Sequence, residues 1–119
     1  MFGRKKSNEI SLNRVHDTVN FRESDDLLTL TVYSDPMRLT SGLLHVQRKM
    51  QNTPDDDEEA QNAVARELAT VIFGAEQAEK LMEFYHNDTT GVINVCLAYF
   101  SQRLSGKIIK AQKKSAPKK

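Results

Sequence analysis

The sequence predicts an α+β fold, mostly α: an N-terminal β-hairpin followed by a four-helix compact domain with a disordered basic C-terminal tail. Three observations predict it. Apolar and polar residues alternate in two short runs before residue 34; apolar residues then recur at three- and four-residue spacing to about residue 111; and basic residues crowd both extremes. At 119 residues the chain has room for one domain. Its organisation reads as a flexible basic arm over 1–14, one α+β domain over 15–112, and a lysine-rich tail over 113–119.

The arm shows no sustained period, apart from a short strand at Glu9 to Leu12. Thr18-Val19-Asn20-Phe21 and Leu28-Thr29-Leu30-Thr31-Val32-Tyr33 are rich in strand-forming residues, and Leu28, Leu30 and Val32 share one face. The polar stretch Arg22 to Asp26 suits a turn, giving a hairpin over about 18–33. A lone hairpin is marginal in water, so this one must pack on helices or on a second subunit.

Ser34-Asp35-Pro36 is a helix start, a capping oxygen followed by proline where no N–H is needed. Leu39, Leu43, Val46 and Met50 then mark a first helix over about 36–51, with Gly42 as a weak point or a close contact. Thr53-Pro54 repeats the signal and opens a second helix over 54–73. Asp55 to Glu59 fill its first turns, where the helix dipole favours negative charge. Its stripe is Ala60, Val64, Leu68, Val71 and Ile72, and Gly74 ends it. A third helix covers 75–86, with Ala78, Leu81, Met82 and Tyr85 on one side. Asp88 caps a fourth over 89–111. There Ile93, Leu97, Phe100, Leu104 and Ile108 form one row, with Val92, Cys96 and Tyr99 beside it. That stripe is wide enough to predict the central core helix.

Composition excludes several function classes. No apolar run approaches the ~20 residues a membrane span needs. The basic start lacks the apolar stretch of a signal peptide. A single cysteine, Cys96, forms no intramolecular disulfide and fits a reducing compartment, so a cytoplasmic location is expected. His16, His45 and His86 have no metal-ligand spacing. The five glycines are scattered and form no phosphate loop. Carboxylates occur as solvated runs, not as isolated acids in apolar surroundings. The reading is therefore no enzyme, no catalytic residue, no metal and no cofactor.

One stretch carries a resemblance. Glu67-Leu68-Ala69-Thr70-Val71-Ile72-Phe73-Gly74-Ala75-Glu76-Gln77-Ala78-Glu79-Lys80-Leu81 is similar to the passage of a helix, Ile-Phe-Gly and a short Ala-Glu-Lys helix in tail assembly chaperones of long-tailed bacteriophages, of the type found with Gram-positive hosts. Met82-Glu83-Phe84-Tyr85-His86-Asn87-Asp88, the helix Ile93 to Arg103 and the closing Lys107-Ile108-Ile109-Lys110-Ala111-Gln112-Lys113-Lys114 continue the likeness. It spans about 17–114 and leaves the start of the chain aside. The resemblance implies a protein that binds the long, apolar, helical tape measure protein and keeps it soluble until tail tube subunits polymerise. It further implies homo-oligomers, and a longer frameshifted form that engages other tail parts, including the tail tube protein.

A client of that kind needs an apolar groove inside a charged exterior. The candidate partner-binding residues are Leu43, Val46 and Met50 of the first helix with Leu81, Met82 and Tyr85 of the third. Methionine adapts to irregular partners. The alternative for all six is plain core, which helical stripes normally form. The hairpin edge is a candidate seam between copies. Two other functions stay open: a small nucleic-acid-binding or regulatory protein using its basic ends, and another minor tail or connector protein. An acidic run in the folded part and the lack of clustered arginines count against nucleic acid.

Overall fold

The computed structural model describes residues 13–115, and its first element is the hairpin. Strands β1 (Val15–Glu23) and β2 (Asp26–Ser34) pair antiparallel, with Glu23 opposite Asp26 across a two-residue turn. Ser24 takes a φ of 55°, the left-handed conformation that tight hairpin turns require. Both strands are longer than their apolar cores suggested, and the turn shrinks to Ser24 and Asp25. Val15, Asp17, Val19 and Phe21 of β1 face inward with Leu30 and Val32 of β2. The expected arm and its short strand at Glu9 to Leu12 fall almost wholly on residues 1–12, outside the described residues.

Four helical rods follow, making the fold α+β and 66% helical. Helix α1 (Pro36–Gln51) starts where Asp35 Oδ1 accepts from the Met37 N–H at 3.0 Å. Helix α2 (Glu58–Phe73) starts four residues after Pro54. The Thr53 hydroxyl donates back to the Lys49 carbonyl at 2.6 Å and closes α1. Asp57 then caps α2 by accepting from the Ala60 N–H at 3.0 Å. Only Glu58 and Glu59 of the acidic run therefore lie in its first turn. Gly74, with a φ of 89°, joins α2 to α3 (Ala75–Phe84). Helix α3 stops before His86 and Asn87, which take φ of 56° and 60°.

The last rod is α4 (Thr89–Tyr99), a π-turn (Phe100–Leu104) and α5 (Ser105–Ser115). Tyr99, Phe100 and Ser105 are all right-handed helical, so the rod is continuous. It carries the helix past Lys113, where a disordered tail was expected to begin; residues 116–119 lie outside the described residues.

The centre of the core is α2, not the last rod. It packs against α1, α3, α4 and β2. Buried Ala65 and Ala69 let neighbours approach it closely. A Cβ on Gly42 of α1 would stand 2.8 Å from Val71 Cγ1 of α2, so glycine sets the spacing of those two helices. Phe73 at the end of α2 sits 5.7 Å from the Phe21 ring and 5.9 Å from the Tyr99 ring, binding hairpin, α2 and rod together.

Side chains from the helices occupy points on both hairpin edges. The Gln77 amide accepts from the Thr31 N–H at 2.9 Å and donates to the Thr31 carbonyl at 2.7 Å, as a further strand would. On β1, the Tyr85 hydroxyl donates to the Arg22 carbonyl at 3.2 Å, and Arg103 donates to that of Thr18 at 3.3 Å. The expected seam between copies is thus interrupted at these positions.

Candidate functional site: an open apolar groove

Because α1 touches α5 but rests mainly on α2, a cleft opens between α1 and the last rod. It closes at one end, where Gln112 reaches Met37 Sδ at 3.6 Å and the Thr40 hydroxyl at 3.5 Å. From there it widens to a groove of about 620 Å³. Leu43, Leu44, Val46 and Met50 form one wall, Leu97, Phe100, Ile108 and Ile109 the other, and Leu68 of α2 the floor. Polar atoms come only from Thr40, Gln47, Ser105 and Gln112 and from backbone.

The walls are more exposed than core. Leu44 is 49% exposed, Leu97 43% and Ile109 54%. Covering the exposed half of each such side chain stabilises a complex by about 1 kcal/mol, so the three offer about 3 kcal/mol. Together with the floor, these half-exposed aliphatic side chains make the groove a candidate docking surface.

The six predicted partner-binding residues separate into two places. Leu43, Val46 and Met50 line the groove, Val46 at its buried base. Leu81, Met82 and Tyr85 lie in the core at 0%, 1% and 8% exposure. Helix α3 turns that stripe toward α2, α4 and β2, away from the groove. Physically these three hold the fold, and Tyr85 adds its hydrogen bond to the hairpin edge.

Sequence reasoning missed Leu44, and it assigned Leu97 and Phe100 to a core row. Two doublets carried the signal: Leu43-Leu44 and Ile108-Ile109. Adjacent helical residues lie 100° apart, so a doublet widens a stripe beyond what one neighbour covers.

The rod is fixed against the hairpin by one buried carboxylate. Asp17 Oδ2 accepts from the Tyr99 hydroxyl at 2.8 Å, Oδ1 accepts from Arg103, and Lys107 stands 3.9 Å away. Burial pushes the Asp17 pKa up, but the Tyr99 hydrogen bond and the Arg103 and Lys107 charges outweigh it, leaving the carboxyl below its ordinary value. Burial and the same hydrogen bond raise Tyr99.

Burial pushes the Cys96 thiol up to about 12, so it stays protonated at neutral pH. Among the described residues no group of three or more His, Cys, Asp or Glu could hold a metal ion. No helix among them is long and apolar enough to cross a membrane. What the arrangement can do is bind an apolar surface.

Comparison with family models, with curated proteins and with solved structures finds no match.

Proposed function

We propose that the chain is a protein-binding module of the tail assembly chaperone kind, which holds an apolar helix of a tape measure protein in the groove between α1 and the last rod. The observation that carries the reading is the open aliphatic groove with Leu44, Leu97 and Ile109 half-exposed at its walls. Helix-in-groove recognition uses this geometry: two helical walls, a floor and few polar groups. The similarity of the stretch Glu67 to Leu81 to phage chaperones supplies the client's class. A client that is long, helical and apolar needs a cover for its stripe until its own assembly partners arrive.

Co-expression with the phage's tape measure protein, followed by pull-down at low and high salt, tests the reading. The expected result is a soluble complex at both salts, because apolar contacts are not screened. Leu44→Asp with Leu97→Asp should abolish recovery while the far-UV circular dichroism of the isolated chain is unchanged. A tape measure protein that stays insoluble, or a complex indifferent to both substitutions, rejects the assignment.

A further inference from the structure

The charge of the chain is divided by helix. Between Pro36 and Gln51, and again between Thr89 and Ser115, there is no aspartate or glutamate. Those two spans, which are the groove's two walls, carry Arg38, Arg48, Lys49, Arg103, Lys107, Lys110, Lys113 and Lys114. The acids sit elsewhere, above all over residues 52–88. Three of the wall cations are engaged: Lys49 with Glu67, and Arg103 and Lys107 with Asp17. Arg48 and Lys113 have no ion-pair partner among the described residues, and both are exposed. Each lies one helical turn beyond a half-exposed groove residue, Arg48 after Leu44 and Lys113 after Ile109. The two walls run in opposite directions, since Gln112 meets Thr40. Arg48 and Lys113 therefore mark opposite ends of the lip.

We infer that the groove selects a partner helix of about three turns whose apolar stripe is flanked by acidic residues. The span from Thr40 to Met50 is about 15 Å of helix, which sets that length. A stripe spaced at i, i+3 or i+4, and i+7 would run along this lining, from the level of Leu43 and Ile109 near the closed end toward Met50 and Phe100. Acids beside the stripe would meet Arg48 at one end and Lys113 at the other. Charge, burial and the aliphatic lining count in turn against three rival occupants. The chain's own residues 1–12 bear Arg4, Lys5 and Lys6 against a single acid, Glu9, so they repel the walls. A second copy offers acids on α2 and α3, but the apolar stripes of those helices are buried in its own core. Nucleic acid would suit the cations and leave the aliphatic lining uncovered. The inference rests on the groove being the docking site proposed above, and it adds the sign of the charge beside the client's stripe.

The test uses the full chain and two synthetic helical peptides with one apolar stripe, flanked by glutamates in one and by lysines in the other. Fluorescence anisotropy at low salt should show the glutamate peptide binding about tenfold tighter, and the gap should narrow as salt rises. Arg48→Glu with Lys113→Glu should reverse the preference. Both side chains are exposed, so this variant keeps its fold, and circular dichroism checks it. Equal binding of the two peptides, or a duplex oligonucleotide that displaces the glutamate peptide, overturns the inference. Capture of the tape measure protein without a charge preference leaves the chaperone reading standing and removes only this one. A preference without capture does the reverse.

Discussion

Replacing Asp17 with alanine removes the one buried carboxylate that ties the hairpin to the last rod. Its two principal partners respond differently. The Tyr99 hydroxyl, 2.8 Å away on a residue only 4% exposed, is left without its acceptor, at a cost of about 1–3 kcal/mol. The Arg103 side chain is 48% exposed and turns to water, so its share falls to about 0–1 kcal/mol. The sum is about 1–4 kcal/mol, or roughly 4–16 °C in Tm for a chain of this length. Asp17→Asn keeps an acceptor for Tyr99 and loses only the charge, so about 1 kcal/mol is expected. Urea unfolding followed by circular dichroism measures both. Adding Tyr99→Phe to Asp17→Ala should restore about 1 kcal/mol, because no hydroxyl is then orphaned.

The pH dependence has a definite sign. The folded carboxyl titrates below its ordinary value of 3.8, so its contribution is present above that value and is lost as pH falls through the lower, folded one. The stability gap between the parent chain and Asp17→Asn should therefore hold at pH 7 and close in strong acid. A loss under about 0.5 kcal/mol for Asp17→Ala, or a gap that widens in acid, refutes the reasoning.

Two further substitutions test the packing. Gly42→Ala gains about 1 kcal/mol of helix propensity but drives a methyl into Val71, costing about 1–3 kcal/mol, so a net loss is expected. In a Val71→Ala background the same change should stabilise; the same sign in both backgrounds sinks the close-approach argument. Leu81→Ala empties a fully buried site and should cost about 2–5 kcal/mol, whereas half-exposed Leu97→Ala should cost under about 1 kcal/mol. Equal losses in urea titrations would make Leu97 a core residue and the groove wall an illusion.

The hairpin and the four rods were legible because each had a local cause: alternation over Leu28 to Tyr33, the caps Asp35 and Asp88, and the stop at Gly74. The start of α2 was misplaced because two capping signals, Thr53-Pro54 and Asp57, compete within one stretch. Thr53 is drawn back to Lys49, a bond between positions whose outcome a propensity reading does not weigh. Of the site, the α1 wall was visible as a stripe. The α3 wall was wrong, because a period says which residues share a face and not which neighbour that face meets. Leu81 and Met82 have a pattern indistinguishable from that of Leu43 and Met50. Asp17 was invisible as a site residue, since its partners lie more than eighty positions away.

The π-turn explains why one wall of the groove is exposed at all. Along the last rod the buried residues are Val92, Cys96 and Tyr99, then Leu104, Ile108 and Ala111. Every step is three or four residues except the five from Tyr99 to Leu104, which span the π-turn. A regular α-helix continuing from Val92, Cys96 and Tyr99 would bring Arg103 and then Lys107 or Gly106 inward. The extra residue rotates the chain by about 100° and brings in Leu104 and Ile108 instead. The row Ile93, Leu97, Phe100, Leu104 and Ile108, continuous in sequence, is thereby cut: its last two members are buried while Leu97 is left on the groove. Deleting exposed Gln102 should turn the five-residue step into a regular one of four. Leu104, Ile108 and Ala111 then keep their inward phase, and Arg103 falls three residues from Tyr99 and stays on the Asp17 side. The expected outcome is a folded, helical chain whose urea midpoint lies near that of the parent. Deleting a residue from a regular helix shifts every later side chain off its face, so a chain unfolded by this deletion would show that the π-turn does not set the phase of the rod.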